Sequence, residues 1–183
     1  RRANVPKGSF YHFFDSKQAF GEEVIMAYNE YLKRKLRRSL DDESMTPLAR
    51  LQAFVEDAKL GMRKYDFQRG CLIGNLGQEL GGVHPEFRSL LENVLLEWQA
   101  ITAHCLELAV QAGELPSSSN PDELAQFFWI GWEGAILRAK LTQSCKPMDQ
   151  FFHYFLKAVG AQPARKKSTC KIPSKQTKNP SIS

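Results

Sequence analysis

Signals for the start of a helix recur along this chain, and each is followed by apolar residues at helical spacing. Asp15 and Ser16 precede one such segment, and Thr46 with Pro47 precede another. Side chains of Ser, Thr, Asp and Asn accept hydrogen bonds from the unpaired N–H groups of a first turn, and Pro fits the first helical position. The apolar residues that follow recur every three or four positions. The pattern predicts an all-α fold, a helical bundle.

The same signals give the expected bounds of the helices. A very short helix lies within residues 4–17, and longer helices follow at 17–40, 47–64, 71–80, 85–113 and 121–143. A break at 145–147 precedes a last helix that runs to about residue 159. The loops between them are rich in Gly, Pro, Ser and Asp, as expected for connections in a bundle.

The short segment Asn4–Lys17 reads NVPKGSFYHFFDSK and divides into two faces. Phe10, Phe13 and Phe14 have the i, i+3, i+4 spacing of one buried stripe. The other side and the tip carry small and polar residues, namely Lys7, Gly8, Ser9, Tyr11 and His12. A short helix that buries one half and presents such residues near its N-terminus is typical of a recognition helix in a DNA major groove.

This segment resembles the recognition helix of TetR/AcrR-type transcriptional regulators, whose pattern is Val-x-Lys-Gly-x-Phe-Tyr-x-x-Phe-x-x-Lys. The matching positions are Val5, Lys7, Gly8, Phe10, Tyr11, Phe14 and Lys17. The usual His before the last Phe is replaced by Phe13, and His12 stands one place earlier. The resemblance implies a double-stranded DNA operator as partner, with contacts from Lys7, Gly8, Ser9, Tyr11, His12 and Lys17.

The resemblance also implies three regions and a missing beginning. A partial DNA-binding head, the remnant of a helix-turn-helix, is expected at 1–40. A ligand-binding and dimerisation domain is expected at 41–160, and a disordered basic tail at 161–183. The first helix of the head and most of the second have no counterpart here, so we expect a fragment that lacks on the order of 30–40 N-terminal residues.

The charge distribution fits that division. The chain has a net charge of +5, but the tail 161–183 carries six cations without an acid, and residues 1–17 carry a net +3. The segment between them, 18–160, therefore has a net charge of −4. Basic ends on a mildly acidic body are consistent with a DNA-facing head on a body that has another role.

Cys71 opens the second informative stretch, Gly70–Leu80. A thiol at a helix start lies at the positive end of the helix dipole, which lowers its pKa. The stretch resembles that of the NemR/AcuR-like branch, which implies a sensor cysteine for electrophiles; the alternative is a small buried hydrophobe. The candidates for ligand or redox sensing are Cys71, Tyr65, Phe67, Asn75 and Trp98.

The four cysteines of the chain have neither the spacing of a zinc site nor that of a compact disulfide framework. This favours a reducing, cytoplasmic setting.

The last two helices contain more apolar residues than one buried face needs. Helix 121–143 is apolar nearly all round, and the helix after it is crowded with aromatic residues. We expect a four-helix contact between two copies, a homodimer. The candidate interface residues are Phe128, Trp129, Trp132, Ile136, Phe152 and Phe155. The alternative is that both helices are buried within one subunit.

Enzymatic chemistry has no support in the sequence. There is no phosphate loop, no metal-ligand cluster and no nucleophile–base set at usable spacing, so we expect no enzyme, cofactor or metal. Glu79, Glu97 and Glu133 are single carboxylates in helices, interpreted as solvated or salt-bridged. No apolar run reaches the roughly 20 residues of a membrane span.

The predicted function is a repressor released from its operator by a small molecule or by electrophile modification. The alternative is a helical homodimeric interaction module without specific DNA binding.

Overall fold

The computed structural model describes residues 9–162, and within that range the chain forms seven α-helices without a strand. The helices are α1 Phe10–Phe13, α2 Lys17–Leu40, α3 Pro47–Lys64, α4 Leu72–Leu80, α5 Pro85–Gln111, α6 Pro121–Thr142 and α7 Lys146–Ala158. The all-α prediction is confirmed, and the expected bounds agree with the observed ones to within two residues from α2 onward. The predicted disordered tail lies outside the described residues, except for positions 161 and 162.

Local capping explains where the helices begin. The Ser16 hydroxyl accepts from the Ala19 N–H at 3.0 Å, and Asn120 accepts from the first N–H groups of α6. Thr46 occupies the start of α3 but makes no capping hydrogen bond with its side chain. The N–H of Leu48 instead donates to the Glu114 carboxylate at 2.9 Å. A buried acid from beyond α5 therefore caps α3, which sequence spacing alone did not indicate.

Helix α5 is the centre of the bundle, because α2, α3, α4 and α6 all pack against it, while α7 packs on α6 and α3. Trp98 and Leu106 of α5 are fully buried, as are Leu51 of α3 and Ile25 of α2. The core thus includes Ile25 of α2, whereas Phe20 of the same helix is 40% exposed.

The predicted dimer residues lie in the interior of a single subunit. Phe128, Trp129, Trp132, Phe152 and Phe155 are at most 7% exposed in the isolated chain. The prediction that they form the contact between two copies is therefore wrong. Gly131 explains the tight packing of α6 and α7, because a Cβ at that position would overlap the ring of Phe151. The sixth residue, Ile136, is partly buried and lines a cavity.

Other apolar side chains of α6 and α7 do remain uncovered. They are Phe127, Ile130, Leu137, Leu141 and Tyr154, with exposed fractions from 37% to 68%. The expectation that α6 needs cover on more than one side is consistent with this, but the uncovered residues differ from those predicted.

The cations of α2 are largely paired with acids. Lys33 Nζ forms an ion pair with the Glu97 carboxylate at 2.8 Å. The Asp57 carboxylate of α3 forms ion pairs with Lys35 and Arg38, at 2.7 and 2.8 Å. These pairs join α2 to its neighbours and favour a structural role for the basic end of this helix over a nucleic-acid contact.

Candidate functional site

The N-terminal segment carries the first candidate surface. The rings of Phe10 and Phe14 pack against Phe20 of α2, with centroids 5.4 and 4.8 Å away. Phe13 is 68% exposed, so the prediction of a three-Phe buried stripe is wrong. The reason is that α1 has only four residues and ends at Phe13, and the backbone of the next residue, Phe14, is already extended.

The candidate DNA contacts are divided between the described residues and those before them. Tyr11 is 64% exposed, and His12 and Lys17 are exposed as well, while Ser9 is half-buried. Lys7 and Gly8 lie outside the described residues. Tyr11, His12 and Lys17 are thus available to a partner, but their contact with DNA stays a prediction.

The second candidate site is a cavity of about 370 Å³ between α2, α3, α6 and the start of α4. Its wall is mainly aromatic and apolar. It is lined by Tyr28, Tyr31, Leu32, Lys35, Phe54, Ala58, Gly61, Met62, Tyr65, Arg69, Gly70, Cys71, Trp129, Trp132, Glu133, Ile136 and Met148. Helix α2 forms a large part of the wall and also carries the ring of Phe20, on which the N-terminal aromatic residues rest.

Cys71 is the residue before the first turn of α4 and is 6% exposed. Burial raises the pKa of its thiol, and the neighbouring Glu133 carboxyl raises it further. The backbone N–H groups of Ile73 and Gly74 act in the opposite direction, as predicted for a helix start, but burial outweighs them. The prediction that Cys71 has a lowered pKa is therefore wrong, because the expected dipole effect is smaller than the desolvation.

Glu133 of α6 places a carboxyl group against Cys71 and Gly74. Burial raises the pKa of Glu133, and the adjacent Cys71 thiol opposes that shift. A Cβ on Gly74 would overlap Oε2, so glycine is needed there for the carboxyl to occupy its position. The other oxygen, Oε1, is buried and has no hydrogen-bond partner among the described residues. The interpretation of Glu133 as a solvated or paired carboxylate is therefore wrong.

Tyr28 of α2 completes the polar end of the cavity. Burial raises the pKa of its phenol, as does the adjacent Cys71 thiol, while the nearby N–H of Leu72 lowers it. We call Tyr28, Cys71 and Glu133 the polar end. Burial raises the pKa of all three of these acids.

Two of the five predicted sensing residues line this cavity, namely Cys71 and Tyr65. Tyr65 is stacked under the Arg69 guanidinium, which lies 3.7 Å from the ring centroid. Asn75, Phe67 and Trp98 are not part of the wall. The structure adds Tyr28, Glu133 and Arg69, which sequence reasoning missed. Glu133 could have been singled out from the sequence, because it is an acidic residue within the longest apolar run, 124–137.

Trp98 lies one layer behind the wall, in a chain of buried hydrogen bonds that we call the relay. Its indole N–H donates to Asn29 Oδ1 at 2.8 Å. Thr102 Oγ1 donates to the Trp98 carbonyl at 2.9 Å and accepts from the Trp129 indole N–H at 3.0 Å. Asn29 Nδ2 in turn donates to Glu97 at 3.1 Å. The relay connects Trp129, a wall residue, to helix α2.

The described residues offer no arrangement that suggests enzyme chemistry. No group of three His, Cys, Asp or Glu side chains between residues 9 and 162 could hold a metal ion. His104 faces solvent near Glu107, whereas its neighbour Cys105 is buried and donates to the Pro47 carbonyl. Nor is any helix in that part of the chain long and apolar enough to cross a membrane.

Comparison with known families decides the class of protein. The family described as "Tetracyclin repressor-like, C-terminal domain" matches residues 47–155. The chain belongs to the TetR family. It is therefore a transcriptional regulator of a DNA-binding family and not an enzyme. The TetR/AcrR resemblance inferred from Asn4–Lys17 is confirmed, as is the combination of a helical head and a C-terminal domain.

Several TetR-family relatives cover most of the chain. The transcriptional regulator AcuR of Cereibacter sphaeroides is 49% identical over 155 residues, which are 85% of this chain and 71% of AcuR. The repressor DhaR of a Mycobacterium species is 36% identical over 86% of this chain and 77% of DhaR. The repressor NemR of Escherichia coli is 27% identical over 90% of this chain and 82% of NemR.

Solved TetR-family structures share the fold. A regulatory protein TetR from Rhodobacter sphaeroides superposes with a TM-score of 0.82 at 49% identity, over 85% of this chain and 82% of that one. The reduced form of Escherichia coli NemR gives a TM-score of 0.72 at 27% identity, over 85% and 81%.

Proposed function

We propose that the protein is a homodimeric repressor that binds a double-stranded DNA operator and is released when a small molecule occupies the cavity. The observation that carries this proposal is the position of α2. Tyr28, Tyr31, Leu32 and Lys35 place one face of α2 in the cavity wall, and Phe20 near its start supports the N-terminal aromatic residues. One rigid helix thus contacts both the effector site and the DNA-reading segment.

Release follows from differential binding to two states. A ligand that fits the cavity better when α2 is displaced shifts the population toward that displaced state. Because Phe10 and Phe14 rest on Phe20, a displacement of α2 moves Tyr11 and Lys17 as well. In a dimer this changes the separation of two recognition helices, which must match successive major grooves about 34–36 Å apart.

The DNA contacts in this proposal are the residues predicted from the sequence. Lys7, Tyr11 and Lys17 position the head on phosphates, Ser9 and Lys7 contact bases, and Gly8 allows close approach, with His12 as a further contact. The relatives DhaR and NemR are both named HTH-type transcriptional repressors, which supports repression as the mode of action. Such a regulator acts in the cytoplasm.

The second copy covers the uncovered face of α6 and α7. The residues proposed for the contact are Phe127, Ile130, Leu137, Leu141 and Tyr154. They replace the buried set predicted from the sequence. Ile130→Glu combined with Leu141→Glu should convert a dimer to a monomer in analytical ultracentrifugation, whereas Val83→Glu, at a site of equal exposure on another part of the chain, should leave it dimeric.

Modification of Cys71 is a less favourable route to release. Its thiol is buried and burial raises its pKa, so little thiolate is present to attack an electrophile. N-ethylmaleimide should therefore react with Cys71 more slowly than with a small model thiol at pH 7. A faster reaction would restore the electrophile hypothesis.

Selection from a random duplex library tests the DNA-binding proposal and requires no operator sequence in advance. The protein in its full natural length should enrich a near-palindromic sequence. Tyr11→Ala and Lys17→Ala should each weaken binding to that sequence by about tenfold or more, since charged and hydroxyl contacts to DNA are lost. Lys146→Ala, at the start of α7, is the matched control and should bind normally. A dimer that enriches no sequence would favour the interaction-module alternative.

A further inference from the structure

We infer that the cavity selects small one-ring aromatic compounds that carry a hydroxyl group, and that Glu133 binds this hydroxyl. The inference deepens the proposed function, since it rests on the cavity being the effector site. It goes further by specifying what the effector must look like.

The aromatic part of the inference comes from the shape and lining of the cavity. Tyr28, Phe54, Trp129 and Trp132 all contribute rings, and Met62 and Met148 add thioethers that pack well against aromatic faces. Its volume of about 370 Å³ lies near the lower end of the roughly 300–1,000 Å³ typical of small-molecule sites. A compound with a single ring and one or two substituents is the size that such a site encloses.

The hydroxyl part comes from Glu133. Buried polar atoms in proteins are nearly always hydrogen-bonded, so an unpartnered carboxyl oxygen on a residue that lines a cavity calls for an explanation. Oε2 lies against Gly74, and Oε1 is buried without a hydrogen-bond partner among the described residues. A ligand hydroxyl that reaches the Glu133 carboxyl from the cavity supplies a hydrogen bond that the described residues do not.

Charge decides between the groups that a ligand could present. Arg69 also lines the cavity, and its positive charge disfavours an ammonium group. A carboxylate would bring a second acid against the buried Glu133, which disfavours an anion at that end. A neutral hydroxyl donates to the Glu133 carboxyl when it is ionised and accepts from it when it is protonated. It is therefore the group that suits either protonation state.

Gly74 keeps this carboxyl in place. Because a Cβ at position 74 would overlap Oε2, any larger residue there must push the carboxyl away from its present position. Gly77, in the same helix, has open space around its Cα. The pair allows the position of the Glu133 carboxyl to be changed without removing it.

The test uses isothermal titration calorimetry on the chain as it stands, with matched probes. The probes are p-cresol, its methyl ether 4-methylanisole, 4-methylbenzylamine and p-toluate. We expect p-cresol to bind at least about tenfold more tightly than the ether, since a site that hydrogen-bonds a hydroxyl rejects the analogue without it. We also expect p-cresol to bind more tightly than the amine or the acid.

Two variants show whether Glu133 is the cause. In Glu133→Met the ratio of p-cresol to ether affinity should fall to about one, because a thioether offers no comparable partner. If that variant does not fold, Gly74→Ala should lower the ratio and Gly77→Ala should preserve it. Equal affinity for ether and cresol in the unaltered protein, tighter binding of the amine or acid, or no binding of any probe would each overturn the inference. The repressor proposal is tested separately by selection from the random duplex library, because that experiment measures DNA binding without these probes.

Discussion

The relay and the polar end of the cavity are two buried polar clusters, and they differ in how many of their polar atoms have hydrogen-bond partners. In the relay, the indole groups of Trp98 and Trp129 and the hydroxyl of Thr102 all have partners within 3.0 Å. At the polar end, Glu133 Oε1 has none among the described residues. Both clusters take residues from α2 and α6, so burial alone does not explain the difference.

The difference separates polar groups that hold the fold from polar groups that are available to a ligand. A buried polar network stabilises a unique arrangement only if its members are satisfied. The relay meets that condition and fixes α2, α5 and α6 relative to one another. The polar end does not meet it, and the same helices leave an open cavity there. Trp129 belongs to both, because its indole N–H enters the relay while its residue lines the cavity.

The largest expected effect is that of removing the relay's central ring. Trp98→Ala should lower the free energy of unfolding by about 3–5 kcal/mol, since a fully buried large ring and its hydrogen bond are lost. Urea denaturation followed by circular dichroism measures the change. Leu96→Ala is the control in the same helix, since Leu96 is 49% exposed. Equal costs for the two substitutions would show that the relay does not hold the bundle.

A comparison within α4 sharpens the contrast at the polar end. Gly77→Ala should stabilise the protein by up to about 1 kcal/mol, as expected for Gly to Ala in a helix with open space around it. Gly74→Ala should stabilise the protein less than Gly77→Ala does, or destabilise it, because the new Cβ overlaps the Glu133 carboxyl. Thermal unfolding of both variants measures the difference. Stabilisation by both to the same extent would mean that the carboxyl moves aside freely.

The smallest expected effect is a pH dependence that belongs to Glu133. Burial raises its pKa in the folded protein, so the unfolded chain releases this proton at a lower pH than the folded chain. Stability is therefore lost as pH rises above the ordinary carboxyl pKa of about 4.3. Glutamine does not titrate, so the Glu133→Gln variant does not lose this stability as pH rises. The free energy of unfolding of the variant, relative to that of the unaltered protein, should therefore increase between pH 4 and pH 7. Urea unfolding at each pH measures this difference. A difference between the two proteins that stays constant from pH 4 to pH 7 would show that Glu133 titrates normally in the folded protein.

Helix starts could be predicted from the sequence because capping is local. Ser16 and Asn120 accept from N–H groups two or three residues away, and Pro47, Pro85 and Pro121 each begin a helix where expected. The recognition-helix pattern is local in the same sense. Both are properties of a few consecutive residues, so a single sequence contains them.

The neighbours of each helix could not be predicted in this way. The apolar period of α6 does not indicate whether Phe128 and Trp132 meet their own subunit or a second copy, and the structure shows them inside the subunit. Trp98 is predicted in the wall, but it donates to Asn29, 69 residues earlier in the chain. The environment of Glu133 depends on Gly74, which is also remote in sequence. These features arise from tertiary packing.

The most direct test of the account compares Thr102→Val with Glu133→Met in urea denaturation at pH 7. Thr102→Val leaves the Trp129 indole N–H buried without a partner, so the free energy of unfolding should fall by about 1–3 kcal/mol. Glu133→Met removes an incompletely paired buried carboxyl, so the protein should be as stable as before or more stable. A harmless Thr102→Val together with a strongly destabilising Glu133→Met would contradict the division between a structural relay and a ligand-binding polar end.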